Sequence, residues 1–288
     1  MIKNKYKVIE NKKEFKLLQK STSVSLLPNA LTILGVCLGL SSIKFALDLN
    51  YPMAVITIGL AALLDTLDGR VARLVNATSK VGKELDSLTD VISFGVAPSF
   101  IMYFWSINEV GKMGWLFVLI YTVCCALRLA RFNLTEIHED ETWKINFFEG
   151  VPSPAAAGLV LLPLILSLSN IVELLNINQI IQILNLNNMF QTENNKIISS
   201  IIILGTSILM VSKVPTYSLK RIAIPRRLGG FLLLGIGIYI GLLIFFTFEV
   251  LFLTGLIYIF LIPVSYLHHK HLNKKSSEAQ EDEIEDIL

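Results

Sequence analysis

From Leu228 to Phe248 the chain carries no charged side chain and is apolar on every face, and comparable stretches recur along its length. Apolar segments of about 20 residues, the length that crosses a bilayer core as a helix, fall near 26–47, 52–74, 88–107, 113–132, 153–170, 196–213, 228–247 and 249–268. A transmembrane β-barrel would show alternating segments of about ten residues instead. The pattern therefore predicts an all-α integral membrane protein with eight transmembrane helices. Composition agrees: 53% hydrophobic and 17% charged residues, with a mean hydropathy of +0.62, exceed what a soluble core of 288 residues needs.

The start, MIKNKYKVIENKKEFKLLQK, has no apolar region next to its charges, so no cleaved signal peptide is expected. With the N-terminus placed in the cytoplasm, 22 of the 25 Lys and Arg fall on the inner side, leaving Lys44, Lys112 and Lys196 near outer ends. Both termini are then cytoplasmic. Phe15, Leu17 and Leu18 among the lysines suit either a short helix on the anionic inner leaflet or a solvated basic tail. Cys37, Cys124 and Cys125 sit inside predicted helices and imply no disulfide framework.

Residues 171–195 mix Ile and Leu with many Asn and Gln, which predicts an interfacial helix on the outer side. Gly237 and Gly241 form a small-xxx-small pair suited to close helix packing. The tail SSEAQEDEIEDIL is acidic, lacks a useful hydrophobic face and is expected to stay solvated and mobile.

Against this apolar background stand Asp65, Asp68, Asp86 and Asp90. A carboxylate at mid-bilayer costs roughly 2.5 to 3.5 kcal/mol on insertion scales, so a cluster calls for a compensating cation or cavity. At about 1.5 Å per residue, the first two lie within roughly 15 Å of the inner end of the second predicted helix, and the other two open the third. Spacings of i, i+3 and i, i+4 put each pair on one helix face. Two facing pairs make an all-oxygen cage, which selects Mg2+ or Mn2+ over zinc because no His or Cys lies near. Gly69, Ala72 and Gly82 remove bulk beside the acids, and Arg73 supplies a cation. A purely structural alternative pairs the acids with Arg70 and Arg73, but two arginines leave four aspartates under-neutralised.

The segment D-x-x-D-G-x-x-A-R, eight residues, then G-x-x-x-D-x-x-x-D resembles the CDP-alcohol phosphotransferase family, whose signature is met by Asp68, Gly69, Ala72, Arg73, Gly82, Asp86 and Asp90. Asp65 matches the acid that precedes it. The resemblance implies that Asp65, Asp68 and Asp86 hold metal ions at the CDP pyrophosphate. It also implies that Asp90 completes a second metal site and takes the proton of the attacking alcohol, and that Gly69, Ala72, Arg73 and Gly82 surround the nucleotide of CDP-diacylglycerol. Two divalent ions, Mg2+ or Mn2+, and a direct in-line displacement follow. The implied organisation is a basic N-terminal segment over 1–25, a six-helix catalytic core over 26–213, a loop with two further helices over 214–268, and an acidic cytoplasmic tail over 269–288.

The acceptor alcohol has to come from other segments. CCALRLARFN carries Arg128, Arg131 and Asn133, FEGVPSPAAAG carries Pro152, Ser153 and Pro154, and SKVPTYSLK carries Lys213; these resemble the phosphatidylserine synthase branch of the family. An L-serine acceptor needs a cation for its carboxylate, and Arg131, Asn133 and Lys213 supply part of that. Arg128 reads equally as a pocket residue or as a positive-inside anchor. Pro152 and Pro154 start a helix, and His268, His269 and His271 read as a solvated anchor at the membrane edge. Glycerol 3-phosphate, inositol phosphate and choline remain alternative acceptors, with Arg128, Arg131, Lys213 and Lys220 available to a phosphate. A divalent cation transporter is the reading from another class, and it requires acids strung along a path across the bilayer. Membrane lipids and a homodimer through the last two helices are the expected partners, with no nucleic acid, and the expected location is a bacterial inner membrane with the active site facing the cytoplasm.

Overall fold

The computed structural model describes residues 28–74, 80–134, 147–170, 192–217 and 229–285, which fall into two compact units, one ending at Ile101 and the other beginning at Met102. The predicted N-terminal amphipathic helix and most of the predicted interfacial helix over 171–195 lie outside these residues.

In the first unit, α1 (Pro28–Leu47) and α2 (Tyr51–Leu74) are followed by α3 (Lys80–Asp90), which runs through a π-helical stretch, Val91–Val96, into α4 (Ala97–Trp105). Apolar residues such as Leu34, Leu40, Leu60 and Leu63 stay on the outside, as a lipid-facing surface requires. The turn after α1 places Leu49 in the left-handed region at φ 59°, and Asn50 Oδ1 then accepts the Met53 N–H at 3.3 Å, an N-cap for α2. Pro52 falls in the first turn, where a missing N–H is harmless.

Gly35 and Gly39 bring α1 against the rod formed by α3 and the π stretch. A Cβ on Gly39 would stand 2.6 Å from Ser93 Oγ and 2.9 Å from its Cα, and one on Gly35 would stand 3.3 Å from Thr89 Cγ2. Ser93 Oγ donates to the Gly35 carbonyl at 3.1 Å, so backbone and hydroxyl meet where side chains are missing.

The second unit holds α5 (Lys112–Leu134), α6 (Ser153–Val160), α7 (Leu162–Leu168), α8 (Thr192–Val211), α9 (Gly229–Phe245) and α10 (Thr247–Glu285). Between them lies an antiparallel pair, β1 (Phe147–Glu149) and β2 (Pro215–Tyr217), in the register Phe147↔Tyr217, Phe148↔Thr216, Glu149↔Pro215. Val118, Tyr121 and Cys125 of α5, Ala156, Ala157 and Val160 of α6, and Ile203 and Met210 of α8 form a buried core. Gly114 admits the chain into α5, because a Cβ there would overlap the Ile107 carbonyl. Gly255 lets α10 lie on α7, since a Cβ would overlap Leu162 Cδ1. None of the three cysteines is in a disulfide.

The all-α membrane architecture stands, but the count of eight spans is not reproduced among the described residues. Five helices, Pro28–Leu47, Tyr51–Leu74, Val81–Trp105, Lys112–Leu134 and Thr247–Lys270, are long and apolar enough to cross a membrane, while Asn195–Val211 and Gly229–Phe245 are shorter. The helix expected over 153–170 breaks at Leu161, where Pro163 removes an N–H from the ladder and crowds the preceding turn. The third helix begins at Lys80, not at 88, so Asp86 and Asp90 lie in its second and third turns. Hydropathy misses those turns because they are amphipathic, with Val81, Leu85 and Leu88 on one side. The tail expected to be mobile continues α10 to Glu285, as its run of helix-forming Lys, Glu, Ala and Gln permits. The Gly237 and Gly241 pair packs against nothing within 4 Å, and α9 buries no residue.

Gly39→Ala should destabilise the protein by about 1 to 3 kcal/mol, because the new methyl meets backbone at Ser93. Gly59→Ala, with open space around it, should be neutral or slightly stabilising through helix propensity. Thermal unfolding in detergent micelles compares the two.

Candidate functional site

Asp65 and Asp68 stand one turn apart in the C-terminal half of α2, and Asp86 stands on α3. One carboxylate oxygen from each lies within 4.8 Å of the other two. Asp68 is 5% exposed, and the other two are half-buried. Thr32 of α1 donates to Asp68 Oδ2 at 2.8 Å, and the Gly69 backbone N–H bonds the same carboxylate. α1, α2 and α3 thus meet at Asp68.

Unit charges 4.8 Å apart repel by roughly 3.5 kcal/mol per pair at an effective dielectric of 20. Two hydrogen bonds to one carboxylate do not offset three such repulsions. The arginines do not offset them either: among the described residues neither Arg70 nor Arg73 forms an ion pair with the acids, and Arg73 Nε donates to the Gly69 carbonyl at 3.1 Å. Among the described residues the cluster is of three carboxylates without a His or Cys, a ligand set that fits a hard divalent cation. Gly69 is exposed with open space where a Cβ would be, so a ligand can reach the backbone beside Asp68. Ala72 and Gly82 are half-buried near the ends of α2 and α3 that carry the acids.

Asp90, half-buried one turn beyond Asp86 on the same face of α3, stands outside the trio that meets at 4.8 Å. It is the last residue before the π stretch, whose wider winding is seen in the Ala97 N–H bonding to the Ile92 carbonyl, five residues back. Such stretches recur beside functional residues.

The second unit joins the three acceptor segments into one construction. Arg128 is only 9% exposed, its Nη1 donates to Ser153 Oγ at 2.5 Å, and its guanidinium lies 5.8 Å from the Phe132 ring. At that depth it ties α5 to the start of α6. Arg131 Nη1 donates to the Val211 carbonyl at 2.8 Å, satisfying a C-terminal carbonyl of α8. Asn133 is half-buried at the same end of α5, and Lys213 is exposed just beyond α8.

Gly150, at φ +75°, passes so close to α8 that a Cβ would stand 2.6 Å from the Met210 carbonyl and 2.9 Å from that of Ser212. Its N–H donates to the Val214 carbonyl at 2.9 Å, and its carbonyl accepts from Thr216 Oγ1 at 2.8 Å. His268, read from sequence as part of a solvated anchor, accepts or donates at Nδ1 with the Tyr217 hydroxyl at 3.0 Å.

Sequence reasoning passed over Thr32 and the Gly35/Gly39 pair, and it named Ser153 within the FEGVPSPAAAG segment without giving it a partner. Thr32 left a faint signal, a hydroxyl in an apolar helix; the partner of Ser153 is 25 residues away and left none.

The sequence profile described as CDP-alcohol phosphatidyltransferase matches residues 25–191. A CDP-diacylglycerol--serine O-phosphatidyltransferase of Mycobacterium leprae is 31% identical over 267 residues, covering 92% of this chain and 82% of the relative. One of the same name from Mycobacterium bovis is 34% identical over 75% of this chain and 69% of the relative. Another, from Helicobacter pylori, is 45% identical over 49% of this chain and 58% of the relative.

Thr32→Val should weaken Mn2+ binding to the purified protein by roughly 10- to 100-fold, the usual effect of removing a group that orients a ligand, whereas Thr32→Ser should keep it. Titration calorimetry with Mn2+ reads both.

Proposed function

The chain belongs to the CDP-alcohol phosphatidyltransferase family, and from that premise we propose that it transfers the phosphatidyl group of CDP-diacylglycerol to the hydroxyl of L-serine, giving phosphatidylserine and CMP. The observation that carries the reading is the acidic trio Asp65, Asp68 and Asp86, which α2 and α3 draw to within 4.8 Å. The names of the bacterial relatives support serine as the acceptor.

Two divalent ions, Mg2+ or Mn2+, held by Asp65, Asp68, Asp86 and Asp90, supply charge neutralisation at the pyrophosphate and at the departing CMP when bound. Gly69, Ala72, Arg73 and Gly82 line the nucleotide, the small residues giving access and Arg73 a fixed positive charge. Asp90 takes the proton from the serine hydroxyl as its oxygen bonds to the lipid-linked phosphorus, and the phosphorus–oxygen bond to CMP breaks in line with it. Arg131, Asn133 and Lys213 are the proposed acceptor residues. Arg131 Nη1 donates to the Val211 carbonyl, which orients the guanidinium at the end of α8, and a guanidinium is suited to a carboxylate.

The acyl chains remain in the bilayer throughout, and serine and CMP exchange with the cytosol. The protein is accordingly placed in a bacterial inner membrane with the acids and both termini on the cytoplasmic side. Residues 26–213 form the proposed catalytic core, flanked by a basic segment over 1–25, the added helices of 214–268 and the tail over 269–288. Acids collected within one small sphere suit catalysis better than transport, which requires them strung through a path.

Purified protein given CDP-diacylglycerol, labelled serine and Mn2+ should form labelled phosphatidylserine and CMP in equal amounts. Product with glycerol 3-phosphate, inositol phosphate or choline but not with serine would overturn the acceptor assignment. Chelation should abolish turnover, and Mn2+ should restore it. Asp90→Asn should lower kcat by roughly 10^2- to 10^4-fold, a larger effect than its loss of metal affinity because the amide oxygen still offers one ligand atom; Asp68→Asn should weaken metal affinity first.

A further inference from the structure

One face of α10 is in use along the membrane-spanning part of the helix. Gly255, Tyr258, Ile262, Ser265 and His269 recur at three- and four-residue spacing, and all are half-buried or buried while their neighbours are largely exposed. Gly255 lies on Leu162 of α7. Tyr258 approaches Thr216 and the Arg128 guanidinium, and Ser265 is fully buried. At the end of this face the ring of Phe147 stacks on Tyr217 at 5.6 Å and meets His269 edge-on at 5.1 Å and His268 at 5.9 Å, while His268 Nδ1 bonds the Tyr217 hydroxyl at 3.0 Å.

These contacts fall on the two strands that join the acceptor segments. β1 leads through Gly150 into Ser153, the partner of Arg128, and β2 follows Lys213 and the Val211 carbonyl that Arg131 holds. A pair of three-residue strands has little stability of its own, so a helix clamped across it decides how firmly the segments are held.

We propose that α10 is a positioning element for the acceptor alcohol, with His268 and Tyr217 as the latch that fixes the β1–β2 pair and, through it, Arg131 and Lys213. The inference rests on the acceptor assignment above and extends it to a helix beyond the proposed core. A latch on the acceptor side affects alcohol binding and leaves donor and metal binding alone. The phenol and the imidazole act as a unit, so removing either gives the full effect.

Steady-state kinetics on the full-length protein in mixed micelles test this, with serine and CDP-diacylglycerol varied separately and the unfolding temperature recorded. Tyr217→Phe and His268→Ala should each raise KM for serine by about three- to tenfold, the range of one hydrogen bond, with KM for CDP-diacylglycerol and the Mn2+ requirement unchanged. The double variant should be no worse than the worse single one. His268→Asn, whose amide reaches the position of Nδ1, should restore most of the serine affinity. Unchanged KM for serine in both single variants, or equal losses toward serine and CDP-diacylglycerol that follow a lowered unfolding temperature, would overturn the latch. If the wild type uses another alcohol, the serine reading falls by itself, and the same variants then decide the latch on the KM of that alcohol.

Discussion

Three carboxylates gathered within 4.8 Å repel one another, and the first unit is arranged to hold them there. α1 supplies the Thr32 hydroxyl to Asp68, and the Gly35 and Gly39 contact presses α1 against the rod that carries Asp86. Neither contact is strong alone. Together they fix two acid-bearing helices against a third, which keeps the three acids together in spite of their repulsion. Catalysis by charge stabilisation depends on this kind of advance organisation, because groups that are already in place need not reorient when the reaction begins.

The second unit meets a different problem, that of holding polar segments steady at the end of an apolar bundle. It does so with side chains that tie loops to helix ends: Arg128 to Ser153, Arg131 to the Val211 carbonyl, and Thr216 to the Gly150 carbonyl. Both arginines are thereby oriented by the fold before any substrate arrives. The division of labour matches the chemistry proposed, with carboxylates in one unit for the metal and nucleotide and cations in the other for the acceptor.

Local patterns made much of this legible. Acids at i, i+3 and i, i+4 announce shared helix faces, and long apolar runs announce spans, because both depend only on helical periodicity. What escaped depends on partners distant in the chain or on breaks in periodicity. The turns of α3 from Lys80 hide from a hydropathy reading because only one side of them is apolar. Pro163 divides a helix whose composition looks continuous. The antiparallel pair of β1 and β2 joins residues some 70 positions apart, and three-residue strands have no pattern of their own. Gly237 and Gly241 look like a packing motif, yet among the described residues nothing lies within 4 Å of where a Cβ on either would stand, whereas Gly35 and Gly39 form a close contact; the two pairs have the same spacing, and only the partner tells them apart.

The π stretch after Asp90 sets the phase of its helix. Winding in which every fifth residue closes the ring keeps Thr89 and Ser93, four apart, nearly in line toward α1. In regular winding Ser93 would drift round toward the side occupied by Asp86 and Asp90. One wide turn therefore separates the side of the rod that grips a neighbouring helix from the side that bears charge. Removing Val91 or Ile92 would rotate Ser93 away from Gly39 and leave Thr89, Asp86 and Asp90 as they are.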